Sequence, residues 1–236
     1  MNTKANFLAA AISLATIGHS FCQEPAVQSK TDSVNLEIKI QGNTISGITH
    51  GKDLHVAVGQ TGTILTSPDG VTWTRQNSRT SQYLRSIAFG KGVFVAVGSS
   101  GTVLVSTDGV AWTDRSSQKY PCFRGIAYGN GLFVAVGANG FIVTSPDGVT
   151  WTQRSSGVTA FLRGISYGND TFAAVGENGT ILTSTNGASW TKRDSGTTRN
   201  LKSIAFPNGT FVAADCAGTL LTSRNGIVWS SQTQEK

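Results

Sequence analysis

Five tryptophans, Trp73, Trp112, Trp151, Trp190 and Trp229, stand 39 residues apart, and the 236-residue chain has no others. Around them the sequence reads SPDGVTW, STDGVAW, SPDGVTW, STNGASW and SRNGIVW, and glycines keep the same step at Gly62, Gly101, Gly140, Gly179 and Gly218. A period of this length marks a supersecondary unit that buries its apolar faces only by stacking on its neighbours. It therefore dictates the architecture before any single residue is considered.

Within one copy, LRSIAFG, VFVAVGS, TVLVST and VAWTDRSS form four short runs, rich in β-branched and aromatic residues, separated by Gly-Lys-Gly, Ser-Ser-Gly and Asp-Gly. Such runs read as strands joined by hairpins. The 28 glycines, the single methionine and a charged content of only 14% agree with many strands and tight turns rather than long helices. Each copy is thus a four-stranded meander, and the radial stack of such sheets is a β-propeller. The Asp-Gly and Asn-Gly pairs, Asp69-Gly70, Asp108-Gly109, Asp147-Gly148, Asn186-Gly187 and Asn225-Gly226, suit a type I′ turn between the third and fourth strands. Phe94, Phe133, Phe172 and Phe211, with Phe89, Tyr128, Tyr167 and Phe206, are expected to fill the spaces between blades.

The copies begin near residue 44 and predict an all-β propeller of five four-stranded blades, a single domain over 34–236. VNLEIKI, at 34–40, alternates like a strand and is placed as an extra N-terminal strand that closes the ring on blade 5 or takes another arrangement. Ahead of it, Lys4, the apolar run Phe7 to Ile17 and the small residues Gly18 and Ser20 have the order of a secretory signal peptide, 1–22, followed by a polar leader, 23–33. The apolar run is too short to span a bilayer, so no transmembrane segment is expected and the protein is placed in the periplasm or outside the cell. Cleavage after Ser20 or after Cys22 fits, and Phe21 before Cys22 argues against a lipid anchor. Cys122 and Cys216 occupy different repeat positions and are expected not to bridge.

The formal charge of +6 favours anionic partners, and export disfavours nucleic acid among them. Arg85, Arg124, Arg163 and Lys202 hold one repeat position at the start of the innermost strand, with Ser46 in the first copy. Rotation turns one position into a ring, so these four cations are expected at one mouth of the central channel, ready for an acidic protein segment or an anionic glycan. The alternative is that they lie along the blade surface and pair with loop carbonyls. The loops before each innermost strand differ most between copies and carry Arg79, Tyr83, Lys119, Tyr120 and Arg199. Arg115, Arg154 and Arg193 lie on the outer strand, where charge discourages sheet-to-sheet aggregation.

Acids are scarce. Outside the turns the repeats offer Asp53, Asp114, Asp170, Asp194, Asp215 and Glu177 at scattered positions, whereas glycoside hydrolysis needs a set pair of carboxylates. His50 and His55 replace aromatic residues and flank the hairpin containing Asp53, but no third strong ligand is evident, so neither metal nor other cofactor is expected. No catalytic residue is assigned.

The recurring S-x-[DN]-G-x-x-W resembles a shortened Asp-box, the bacterial neuraminidase repeat, and together with runs such as FVAVG and GTILTS is similar to bacterial propellers of the photosystem II stability and assembly factor type. The resemblance implies a structural role for Asp69, Asp108, Asp147, Asn186 and Asn225 and for the five tryptophans: the carboxylate or carboxamide ties the turn and the indole packs beneath it. It also implies an exported scaffold that binds partner proteins through an arginine patch. Those propellers usually carry seven blades, against five repeats here. Sialidases and lectins of the same superfamily make a carbohydrate-active protein the alternative. Oligomeric state is left open.

Overall fold

A computed structural model of the chain describes residues 38–215 and 217–232. The expected signal peptide, leader, residues 34–37 and Cys216 lie outside the described residues. No helix among the described residues is long and apolar enough to cross a membrane.

Five antiparallel sheets follow one another along the chain. Blade 1 contains β1 (Ile38–Ile40), β2 (Asn43–Gly51), β3 (Leu54–Gly59), β4 (Ile64–Ser67) and β5 (Thr74–Gln76). Blade 2 contains β6 (Leu84–Gly90), β7 (Val93–Gly98), β8 (Val103–Ser106) and β9 (Thr113–Asp114). Blade 3 is β10 (Phe123–Gly129), β11 (Leu132–Gly137), β12 (Ile142–Ser145) and β13 (Thr152–Arg154). Blade 4 is β14 (Leu162–Gly168), β15 (Thr171–Gly176), β16 (Ile181–Ser184) and β17 (Thr191–Arg193). Blade 5 is β18 (Leu201–Ala205), β19 (Phe211–Asp215), β20 (Leu220–Ser223) and β21 (Ser230–Gln232). Each contains the four-stranded meander that the repeat predicts, blade 1 with one strand more, and the chain is an all-β propeller of five blades.

The core is divided among the gaps between blades. The front of blade 2, with Val95, Val97 and Val103, packs on the back of blade 3, with Phe123, Ile126 and Phe133. The same positions recur between blades 1 and 2, 3 and 4, and 4 and 5. Alternation along each strand sends successive side chains to opposite faces, which is why one short sequence serves two interfaces. Phe94, Phe133, Phe172 and Phe211 are fully buried, as expected, and each is in ring contact with Phe89, Tyr128, Tyr167 or Phe206 of its own blade at 4.5–4.7 Å between centroids.

That pairing explains a glycine. The Cβ of any larger residue at Gly129 would lie 2.1 Å from the Tyr167 ring of the next blade, and Gly51, Gly90 and Gly168 face Phe89, Tyr128 and Phe206 in the same way. Hairpin side chains then clip neighbouring blades together: Lys52 Nζ donates to the Thr107 carbonyl at 2.7 Å and Asn169 Nδ2 to that of Arg224 at 2.9 Å.

Innermost strands touch in sequence, β2 to β6, β6 to β10, β10 to β14 and β14 to β18. Among the described residues no comparable contact joins β18 to β2, so blades 1 and 5 each keep a free face. The extra strand does form over Ile38–Ile40, but it pairs antiparallel with β2 of blade 1 and not with blade 5. Ile40 then packs with Ile45, Ala57, Leu65 and Trp73. Burying that apolar set locally is easier than reaching a blade at the far end of the arc.

The type I′ turns are elsewhere than expected. Two-residue loops with both φ positive join the first and second strands, at Lys52-Asp53, Lys91-Gly92, Asn130-Gly131 and Asn169-Asp170. In the Asp-Gly turns only the glycine is left-handed, for example Gly70 at φ 72°, and β4 and β5 are six residues apart. The aspartate works through its side chain. Asp69 Oδ1 accepts the Ser67 hydroxyl at 2.8 Å and the amides of Val71 and Thr72 at 2.8 and 2.7 Å, while Trp73 Nε1 donates to the Gly70 carbonyl. Asp108 with Trp112, Asp147 with Trp151, Asn186 with Trp190 and Asn225 with Trp229 repeat the arrangement.

Candidate functional site

Every innermost strand contains one irregularity, and it falls on the same repeat position. Register shifts between Ile45 and Gly47, Leu84 and Ser86, Phe123 and Gly125, Leu162 and Gly164, and Leu201 and Ser203. The extra residues of these β-bulges are Ser46, Arg85, Arg124, Arg163 and Lys202. A bulged residue has no cross-strand partner and its side chain is re-aimed relative to the regular alternation. The repeated cation is therefore a bulge residue, set at the strand start. That end of the blade also carries the tight turns between second and third strands, and the tryptophan turns lie at the opposite end of the meander.

The four cations are not equivalent. Arg85 and Arg163 are buried, whereas Arg124 and Lys202 are half-buried. The Arg85 guanidinium lies 4.1 Å from the Tyr83 ring centroid. Phe161 sits beside two of them, 5.6 Å from the Arg124 guanidinium carbon and 5.2 Å from that of Arg163. Such stacking holds a cation in place while leaving its charge in effect. Arg163 also forms an ion pair with Glu177 in the tight turn of its own blade. The rim is thus a set of braced guanidiniums with Lys202 at one end, rather than four equally open charges. Arg163 pairs with a loop carboxylate, and Arg124 and Lys202 are only partly covered.

The loop residues divide similarly. Lys119 is exposed, but Tyr120 packs against Phe123 and Phe141, at 5.7 and 6.1 Å between centroids, and extends the core of blade 3. Arg79 is exposed on the loop after β5. Arg199 reaches Asp215 Oδ2 at 3.4 Å. Asp215 is buried and its Oδ1 accepts the amides of Ala217 and Thr219, both at 2.8 Å. Burial pushes its carboxyl up, but those amide bonds and Arg199 outweigh burial and hold it below the ordinary carboxylate range.

Three further acids are engaged locally as well. Asp114 accepts the Ser116 amide, Asp194 the Gly196 amide and Asp170 the Tyr167 hydroxyl. His50 and His55 stack at 4.5 Å between centroids, in the place of the aromatic pairs of the other blades. Burial, then the neighbouring His50, lower the His55 pKa, with Asp69 opposing them. Among the described residues no group of three or more His, Cys, Asp or Glu is placed to hold a metal ion. On the outer strands Arg154 and Arg193 donate through Nε to Thr144 and Thr183, while Arg115 is exposed.

Glu177 and Phe161 belong to this rim although neither was singled out for it by sequence. Phe161 lies two residues before Arg163, aligned with Tyr83, Cys122 and Asn200, so an aromatic recurs in only two copies.

No protein family matches the chain, and no curated protein matches it in sequence. Solved structures match it in fold. YCF48 from Cyanidioschyzon merolae is 17% identical with a TM-score of 0.62, covering 82% of this chain and 73% of that one. YCF48 bound to a D1 peptide is 22% identical with a TM-score of 0.63, over 80% of this chain and 68% of the other. Virginiamycin B lyase from Staphylococcus aureus is 14% identical with a TM-score of 0.73, over 84% of this chain and 72% of the lyase. The similarity is one of fold: this chain is a five-bladed β-propeller with a braced cationic rim, similar in architecture to these propellers.

Proposed function

We propose that this propeller is a non-catalytic scaffold, exported by the signal sequence at 1–22, that captures an acidic protein segment along its bulge-bearing face. One observation carries the reading: four consecutive innermost strands each present a cation on a β-bulge at the same end. Adjacent bulges suit an extended chain with several carboxylates, the Arg124 fork and the Lys202 ammonium being the more open donors of the set. Bracing by Tyr83, Phe161 and Glu177 lowers the entropy lost on binding. The similarity to YCF48, a propeller seen with a bound peptide, supports a protein ligand. Local engagement of the carboxylates supports a non-catalytic role.

The test is a fluorescence-polarisation titration with extended acidic, neutral and basic peptides. Acidic peptides bind best and lose affinity with salt, and Arg124→Gln/Lys202→Gln weakens them about tenfold or more, roughly 1.4 kcal/mol per decade. Those two side chains are chosen because Arg85 and Arg163 are buried and their loss disturbs packing. Equal binding of all three peptides overturns the reading.

A second reading, a carbohydrate-active protein, rests on the resemblance of the tryptophan turns to the Asp-box repeat. Incubation with a panel of sialosides and polysaccharides separates the two, since turnover of any of them contradicts a purely binding role.

A further inference from the structure

Blade 1 carries a polar groove at its outer strand. Between its tight turn, Gln60–Gly62, and the loop after β5 runs an open groove of about 560 Å³. Apart from Gly62, every side chain lining it is polar, among them Thr61, Arg75, Gln76, Asn77, Ser78 and Arg79, and none is acidic or aromatic. The groove lies at the same end of the blade as the bulges, on the outer-strand side of the tight turn, which itself touches β2 and β6.

Two observations set it apart. The first is charge. The positions of Arg75, Gln76 and Arg79 are taken by Asp114, Arg115 and Gln118 in blade 2, Gln153, Arg154 and Gly157 in blade 3, and Lys192, Arg193 and Gly196 in blade 4, so among these copies only blade 1 has a cation at the loop position. Arg75 is anchored by a 2.8 Å hydrogen bond from Nη1 to Asn43 Oδ1, with donors to spare, and both arginines are exposed. The second is backbone conformation. Arg79 has φ 57°, left-handed, where the repeat places Gly157 at 72° and Gly196 at 66°. Glycine takes this conformation freely and a residue with a Cβ does so at a cost, and residues held there concentrate at functional sites. Asn77 Oδ1 accepts the Arg79 amide at 3.0 Å and holds the turn.

We propose that this groove is a second binding site, independent of the rim, for the sulfate or carboxylate of an anionic sugar. The groove offers no apolar or aromatic anchor of the kind that clusters at the centre of protein contacts. Hydroxyl and amide groups between two guanidiniums suit instead a hydroxylated ligand with a fixed negative charge. Arg79 and Arg75 take the anionic group, and Gln76, Asn77, Ser78 and Thr61 face the sugar hydroxyls.

Isothermal titration of the whole chain with a sulfated disaccharide, a uronate oligomer, a neutral oligomer and inorganic sulfate tests this. The expected result is binding of the two anionic sugars, weak or no binding of the neutral one, and sulfate binding at least tenfold weaker than the sulfated sugar. Arg79→Gly restores the residue of blades 3 and 4, so it lowers sugar affinity at least tenfold while raising Tm by about 2–4 °C. Arg75→Gln also lowers affinity, and Arg124→Gln/Lys202→Gln leaves it unchanged. Sugar binding unaffected by Arg79→Gly and Arg75→Gln, or lost in Arg124→Gln/Lys202→Gln, overturns the proposal, as does equal affinity for the neutral oligomer or for sulfate alone.

Discussion

Blade 1 covers its free face with a strand of its own, Ile40 lying with Ile45, Ala57, Leu65 and Trp73. Blade 5 leaves Val212, Leu220 and Thr222 half-buried at positions where Val134, Ile142 and Thr144 of blade 3 are buried by the next blade. The ends also differ in what they permit. Pro207 stands where Gly51, Gly90, Gly129 and Gly168 receive the aromatic ring of a following blade, so the front of blade 5 has lost the space for one. At the other end His50 and His55 replace the aromatic pair, and His50 is exposed. Interior interfaces are thus held to a strict pattern by contact from both sides, and each end is released from the pattern on its uncovered side.

The largest test of that contrast is at the aromatic position. Phe133→Ala empties a fully buried site and costs about 3–5 kcal/mol, whereas His55→Ala, at the half-buried equivalent, costs about 1 kcal/mol in denaturant unfolding. Comparable losses at both sites break the distinction between interior and end. Next comes the close approach: Gly129→Ala pushes a Cβ into Tyr167 and costs about 1–3 kcal/mol, while Pro207→Ala, with no following blade, stays within about 1 kcal/mol of the parent.

A smaller effect separates the turns by chemistry. Amides of Val71 and Thr72 hold the Asp69 carboxyl well below the ordinary range, and Asp108 and Asp147 are lowered in the same way, while Asn186 and Asn225 have no charge to lose. A carboxyl with a depressed folded pKa contributes stability above its unfolded value, and that contribution drains away as pH falls from there through the folded value. Lowering pH from about 5 to about 2.5, across the ordinary Asp range, therefore lowers Tm of the parent more than that of Asp69→Asn/Asp108→Asn/Asp147→Asn. Equal acid sensitivity contradicts the assignment. The shorter serine contacts of the aspartates, 2.8–2.9 Å against 3.1 and 3.3 Å at the asparagines, agree with a charge-assisted bond. The smallest effect is at Val71, which is 81% exposed in its turn: Val71→Ser changes stability by no more than about 0.5 kcal/mol.

Much of the fold was legible because it repeats. Trp112, Phe133 and Gly140 are each one member of a series, and a series exposes the position that packing constrains. The cations were visible in the same way, but their environments were not. Glu177 occurs once and Phe161 aligns with a cysteine and an asparagine, so periodicity carried no sign that they brace Arg163. The turn chemistry was misplaced because Asp-Gly fits two different loops. Only the backbone shows the aspartate acting through its carboxylate and the left-handed pairs lying at Asn130-Gly131 and its equivalents.

By itself the sequence determined the blade, its four strands, the apolar sides of each and the number of copies, since these follow from local alternation and from a period repeated five times. Tertiary structure alone decided where β1 goes, that Arg85 and Arg163 are buried, and that among the described residues no contact like those between neighbouring innermost strands joins blades 1 and 5. Those outcomes depend on which surfaces face each other across the arc, and two residues far apart in sequence carry no local mark of whether they touch.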